Sequence, residues 1–177
     1  MKRRLLVALA LVGLLSAIPL AHAGATAQAI RSTSKVIVMS DLSDPLAPPV
    51  GTSTLTRTDS GISFSLETTG LEPGHAVTVW WMVANPDGGV AVLYAAGHVI
   101  DDSGTAEFGG YLQVGDSEGA LSMGTDTTLE DALGAAVFLV VRDHGPGDPR
   151  TVTAQIQSFD ACNTSCTDLQ ISVHQPS

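Results

Sequence analysis

Between Gly51 and Thr69 apolar and polar residues alternate: Ile62, Phe64 and Leu66 hold one phase, Ser63, Ser65 and Glu67 the other. A period of two marks a strand with one buried face. "TSTLTRT" and "ISFSLETT" flank "DSG", which predicts a β-hairpin. "HAVTVWWMVA" (75–84) is apolar in both phases and predicts a central strand. Val77, Val79, Trp81 and Val83 share one face; Thr78, Trp80 and Met82 share the other. "AAVFLVVR" reads in the same way. Further strands are predicted over "KVIVM" (35–39), "VAVLYA" continued by "GHVI", "TAEFGGYLQV", "TVTAQIQS" and "DLQISVH". In the last, Leu169, Ile171 and Val173 alternate with Gln170 and Ser172. Gly109-Gly110 predicts a bulge or bend.

Turn residues separate these segments: "SDLSDPLAPPV", "GLEPG", "NPDGG", "DDSG", "GDSEGALSMGTD" and "DHGPGDP". The one helical signal is "TTLEDALG", where Thr127 and Glu130 fit a capping box and Gly134 a stop. Eight to ten short strands with turns between them predict an all-β, antiparallel sandwich or barrel.

The N-terminus changes the picture. "MKRR" precedes the uncharged run "LLVALALVGLLSAIPL" and the small-x-small triplet Ala21-His22-Ala23. That is the pattern of a secretory signal peptide over residues 1–23. Residues 24–34 then read as a flexible leader and 35–177 as one β-sandwich domain. The expected location is secreted or periplasmic, with no membrane span after cleavage.

Removal of Lys2, Arg3 and Arg4 would leave five basic residues against 18 acidic ones, a net charge near −13. Nucleic acid and anionic membrane need basic patches and are excluded as partners on that ground. The expected partner is an extracellular ligand or protein. Cys162 and Cys166, in "CNTSC", are expected to form a disulfide in an oxidising space. The loop they close is short, so it staples one local turn. "NTS" (163–165) is also a glycosylation sequon.

Candidate chemistry is sparse. "GDSEG" matches G-x-S-x-G, but Ser117 falls in a loop of an all-β chain and reads as a turn. His75, His98, His144 and His174 form no H-x-H or H-x-x-x-H pair. A divalent-metal site would have to be assembled in space from His98, His144, Asp143 and Asp148; no other cofactor is indicated. The acidic turns could offer oxygen to calcium, but none has EF-hand spacing. Trp80, Tyr94 and Tyr111 are candidate stacking platforms for a sugar, with burial the favoured reading for Trp80. "DHGPGDP" between two predicted strands reads as a hairpin connection, with Arg142 pairing Asp143 or Asp148.

Two segments carry a resemblance. "GTSTLTRTDSGISFSLETTGLEPGHAVTVWWMV" looks like the opening of CHRD domains, which Cu/Zn superoxide dismutases share. "AVFLVVRDHGPGDPRTVTAQI" resembles a later CHRD segment. The chain is also similar to a set of uncharacterised secreted bacterial proteins with "WW.V.NNP", "VLYATGHV", "RxHGP" and a terminal "C…VQ..VH". Here these read "WWMVANP", "VLYAAGHV", "RDHGP" and "C…LQISVH". The resemblance covers most of the mature chain. It implies a Greek-key sandwich, immunoglobulin-like or superoxide dismutase-like, and export. Dismutases place a copper-binding H-x-H after the "GLxPG" turn; here His75, Ala76 and Val77 follow, so the pair is missing and no dismutase chemistry is implied. The reading is a secreted, non-catalytic binding or structural module. The alternatives are a metal-binding protein centred on His98 and His144, and a carbohydrate-binding module.

Overall fold

The structure, a computed structural model, describes residues 29–177. The expected signal peptide and residues 24–28 of the expected leader lie outside that range. Eight strands form one sheet: β1 (Ile30–Val38), β2 (Gly51–Thr58), β3 (Gly61–Thr69), β4 (His75–Ala84), β5 (Val90–Val99), β6 (Thr105–Gln113), β7 (Ala136–Pro146) and β8 (Thr167–His174). Their hydrogen-bonded order is β5-β4-β7-β8-β1-β2-β3-β6, and every pairing is antiparallel. The all-β antiparallel expectation holds.

The sheet curls until its edge strands approach each other and the whole is nearly barrel-shaped. At the seam, a Cβ on Gly110 of β6 would lie 3.3 Å from the Ala95 carbonyl oxygen of β5. Strand β7 lies beside β4, giving the order β7-β4-β5-β6 across the seam, a Greek-key arrangement. The alternation of two builds the interior. Ile62, Phe64 and Leu66 of β3 meet Val77, Val79, Trp81 and Val83 of β4 and Val137, Leu139 and Val141 of β7. Trp81 meets Phe64 edge-to-face, centroids 4.8 Å apart. Burial of each such side chain contributes about 1.5–3 kcal/mol.

The outer face is covered in two places, and that is why β4 and β7 are apolar in both phases. The Pro-rich segment after β1 lies over β1 and β8, where Leu42, Pro45 and Ala47 border a small cleft with Ile37, Ile171 and Val173. The segment between β7 and β8 lies over β4 and β7, where Phe159 meets Trp80 edge-to-face, centroids 5.1 Å apart.

Five local expectations are corrected. Strand β1 begins at Ile30, inside the expected leader, because Ile30 to Val36 pair with Arg57 to Gly51 of β2. Gly109 and Gly110 make no bulge; their register with β3 is continuous. A Cβ on Gly110 would sit 2.9 Å from Phe64 Cε1, so the glycine serves close packing. A bulge lies instead in β5, where Ala95 is the extra residue: Val79 and Trp80 of β4 pair with Ala96 and Tyr94. "TTLEDALG" forms turns in place of a helix: Asp131 Oδ1 accepts the Leu133 and Gly134 N–H groups while Leu129 and Ala132 enter the core. "TVTAQIQS" holds a short helix, α1 (Val152–Gln155), in place of a strand. Gln155 anchors it by donating from Nε2 to the His144 and Pro146 carbonyls. "DHGPGDP" is therefore no hairpin connection: β7 pairs with β4 and β8, and a segment of 20 residues separates it from β8.

Candidate functional site

"RDHGP" ends β7, and its histidine is a keystone of the outer layer. Thr78 and Trp80 project from the outer phase of β4; His144 comes from β7. Trp80 Nε1–H donates to Thr78 Oγ1 at 2.7 Å. Thr78 Oγ1 lies 2.7 Å from His144 Nε2, and His144 Nδ1 lies 3.2 Å from the Ala161 carbonyl oxygen. A carbonyl only accepts, so Nδ1 carries the proton and Nε2 accepts from Thr78. The chain Trp80–Thr78–His144–Ala161 is thus polarised in one direction, with a neutral imidazole in the Nδ1–H tautomer. Burial pushes the His144 pKa below the usual histidine value; the Ala161 carbonyl opposes that shift.

The expected disulfide Cys162–Cys166 is present, and it lies over this histidine, a placement the sequence did not indicate. Cys166 Sγ is 3.4 Å from His144 Nδ1. The Asn163 N–H donates to the His144 carbonyl at 2.7 Å, and Asn163 Nδ2 donates to the Pro146 carbonyl at 2.9 Å. A Cβ on Gly145, whose φ is +79°, would lie 2.1 Å from the Asn163 carbonyl oxygen, so only glycine lets the two backbones touch. Arg142 does not pair with Asp143 or Asp148. Its Nη1 donates to Asp168 at 2.5 Å and its guanidinium lies 3.8 Å over the Phe159 ring.

The sequence-derived metal set does not assemble. His98 and Asp143 flank Val77 on opposite sides of β4. His98 stacks on Phe108 of the interior at 4.5 Å, whereas His144 lies on the outer face. Asp143 is held by His75 Nδ1 at 2.9 Å and by the Gly145 N–H. Asp148 Oδ1 accepts the Arg150 N–H in a turn. The physical reason is the pleat: neighbours such as Asp143 and His144 point to opposite faces. Among the described residues, the groups whose donor atoms converge within 4.8 Å are His144, Cys162 and Cys166, and Asp87, Asp126 and Glu130.

The stacking set also fails to form a platform. Trp80 is buried, and Tyr94 meets it edge-to-face at 75° instead of lying coplanar. Tyr111 is exposed. Ser117 lies in an exposed turn whose carbonyl accepts the Ala120 N–H. The acidic turns have a structural reading too: Asp44, Asp87, Asp101, Asp116 and Asp148 each accept the N–H two residues on. Five of the 18 acidic side chains thus serve as turn acceptors.

Sequence reasoning missed a polar stripe inside the curled sheet. On β8 the apolar Ile171 and Val173 face outward beside Val140 and Phe138, while Gln170, Ser172 and His174 face inward beside Val141, Leu139 and Val137. Ser53 Oγ lies 2.8 Å from His174 Nε2 and 2.5 Å from Ser172 Oγ. Ser32 Oγ lies 2.9 Å from His174 Nδ1. Arg57, 1% exposed, donates to the carbonyls of Ala132, Ala135, His174 and Gln175. Its Nε is the one buried side-chain N or O atom without a partner among the described residues. Burial and the Arg57 charge push the His174 pKa down to about 4. The missed signal was phase: Ser53 and Arg57 share the alternation of buried Leu55.

A cleft of about 580 Å³ opens at one end of the seam, lined by Glu67, Thr68, His98, Asp101, Ala106, Glu107 and their neighbours. Glu67 and Glu107 are directly opposite across β3 and β6. Like charges so placed repel unless something lies between them. No lysine or arginine is among the lining residues. Burial lowers the pKa of His98, with Asp101 opposing the shift.

No protein-family model, curated protein or solved structure matches the chain.

Proposed function

We propose that the protein is an exported, non-catalytic binding module whose seam cleft takes a small positively charged ligand or side chain. The observation that carries this reading is the cleft of about 580 Å³, with Glu67, Glu107 and Asp101 on its walls and no lysine or arginine among its lining. Buried side chains of β3, β4 and β7 pack together in the interior, which favours a ligand at an end or outside. Export is supported by the N-terminal pattern and by the joined cysteines. A non-catalytic role is supported by the serine and histidine geometry. The serines bonded to a histidine, Ser32 and Ser53, meet His174 inside the curled sheet, and both nitrogens of His144 are engaged. A sugar-binding role loses its support with Trp80 buried. The resemblance to CHRD and superoxide dismutase-like domains is retained as part of the proposal, on the motifs already quoted.

The test is NMR shift mapping with a short lysine-rich peptide at low and moderate salt. Shifts should concentrate on Glu67, His98 and Glu107 and weaken with salt. Glu67→Gln with Glu107→Gln should abolish them. Shifts spread over the whole acidic surface, unchanged in the double variant, would overturn the reading.

A further inference from the structure

A second place in the molecule, remote in kind from the acidic cleft, gathers softer ligands. One nitrogen of His144 and the sulfurs of Cys162 and Cys166 lie within 4.8 Å of one another. His144 is buried, Cys166 is half-buried and Cys162 is exposed, so the cluster opens to solvent on one side.

Three features fit the dithiol state as well as the disulfide. Each sulfur has a carbonyl acceptor at 3.5 Å that a thiol could use: Asp160 for Cys162 and Phe159 for Cys166. The segment is tied to β7 through Asn163, at the His144 and Pro146 carbonyls, so its position does not rest on the S–S bond alone. The Cα atoms of the two cysteines are 5.3 Å apart. Thiolates on one tetrahedral zinc ion, at ~2.3 Å each, would stand about 3.8 Å apart. Small side-chain rotations reach that separation.

The histidine is preorganised for the same task. A ligating imidazole is held by a partner on its other nitrogen, and here Thr78 Oγ1 meets Nε2 at 2.7 Å while Nδ1 faces Cys166. We propose that reduction of the Cys162–Cys166 disulfide opens a metal site in which both thiolates and His144 Nδ1 hold one thiophilic d10 cation, typified by Zn²⁺, with water in the fourth position.

The chemistry balances with a dithiol as reductant. One thiolate of the reductant attacks the exposed Cys162 Sγ. The protein S–S bond breaks, a mixed disulfide forms, and Cys166 leaves as a thiolate beside the His144 Nδ1–H. The second thiol of the reductant closes its own disulfide and releases Cys162. Two electrons and two protons pass to the protein, which now carries two thiols. Zn²⁺ replaces the two thiol protons, which leave to solvent. The imidazole proton moves through water from Nδ1 to Nε2, giving up the Ala161 carbonyl, and then donates to Thr78 Oγ1. That oxygen has two lone pairs and still accepts from Trp80. Two thiolates neutralise the cation.

The test uses the whole mature chain, reduced with dithiothreitol, desalted without oxygen and titrated with Zn²⁺ against a chromophoric chelator. Co²⁺ serves as the spectroscopic stand-in. The reduced protein should bind one equivalent, release two protons per zinc and give a thiolate-to-cobalt charge-transfer band. The oxidised protein should bind none at the same concentrations. Cys162→Ser and Cys166→Ser should each weaken binding by at least about tenfold; Thr78→Val should weaken it about 10–100-fold and keep the cobalt band. Equal binding by oxidised and reduced protein, wild-type affinity in Cys166→Ser, or loss of the folded circular-dichroism signal on reduction would overturn the proposal. His144→Ala is not needed as the deciding variant, because its burial makes misfolding an expected side effect.

Discussion

His144 and His174 are equally hidden from water, at 0% and 2% exposure, yet they are built into the molecule in opposite ways. His174 lies inside the sheet, between serines of β1 and β2, with a buried arginine beyond it. His144 lies outside the sheet, under a segment held by turns and a disulfide. The difference teaches that burial alone does not assign a histidine its role. What matters is whether its cover can change state. Strands on every side of His174 must separate for it to meet solvent. His144 needs only a short segment to respond.

The comparison breaks most visibly on the interior side. Arg57→Ala should leave the carbonyls of Ala132, Ala135, His174 and Gln175 without their donor. The loss of stability, read from urea unfolding, should be on the order of 4 kcal/mol. Thr78→Val on the outer side orphans only the Trp80 N–H and His144 Nε2, and a loss of about 2–3 kcal/mol is expected.

Acid sharpens the same contrast. The His174 pKa is depressed from 6.5 to about 4 in the folded protein. Between those values the unfolded chain binds more protons than the native one, so stability falls as pH falls. The contribution is fully present above pH 6.5, is lost progressively down to about pH 4, and amounts to about 3 kcal/mol. His144 is shifted in the same direction. Unfolding midpoints measured across that window should drop in the wild type. In His174→Gln the midpoints should drop less.

The smallest effect belongs to the staple. Cys162→Ser opens a ring with a sequence separation of four, and the chain-entropy account allows about 2 kcal/mol at most for so short a loop. Differential scanning calorimetry should show a modest fall in melting temperature with the fold intact. A collapse of the fold would mean that the outer segment depends on the S–S bond and not on Asn163.

Much of the architecture was legible because its rule is local. The two phases of "HAVTVWWMVA" placed Trp81 inside and Trp80 under cover, and both are buried. The "DSG" hairpin and the "CNTSC" disulfide were also readable. The errors share one cause, which is that tertiary cover decides what a pattern means. In β8 the apolar phase faces a covering segment and the polar phase faces the interior, so alternation gave the strand but not its orientation. In β1, Ser32 and Ser34 stand where apolar residues would have announced a strand. The site was legible in its histidine and not in its partners. "RDHGP" drew attention to His144, but carboxylates adjacent in sequence are thrown to the other face by the pleat. The cysteines, 18 and 22 residues further on, arrive only because the segment folds back over β7.

The most direct measurement of this contrast is the ¹⁵N imidazole spectrum of the oxidised protein and of the reduced protein with one equivalent of Zn²⁺. The account predicts that His144 is the Nδ1–H tautomer when oxidised and becomes the Nε2–H tautomer with zinc on Nδ1, while His174 stays neutral and unmoved. An unchanged His144 tautomer, or a shift of His174 in its place, would contradict it.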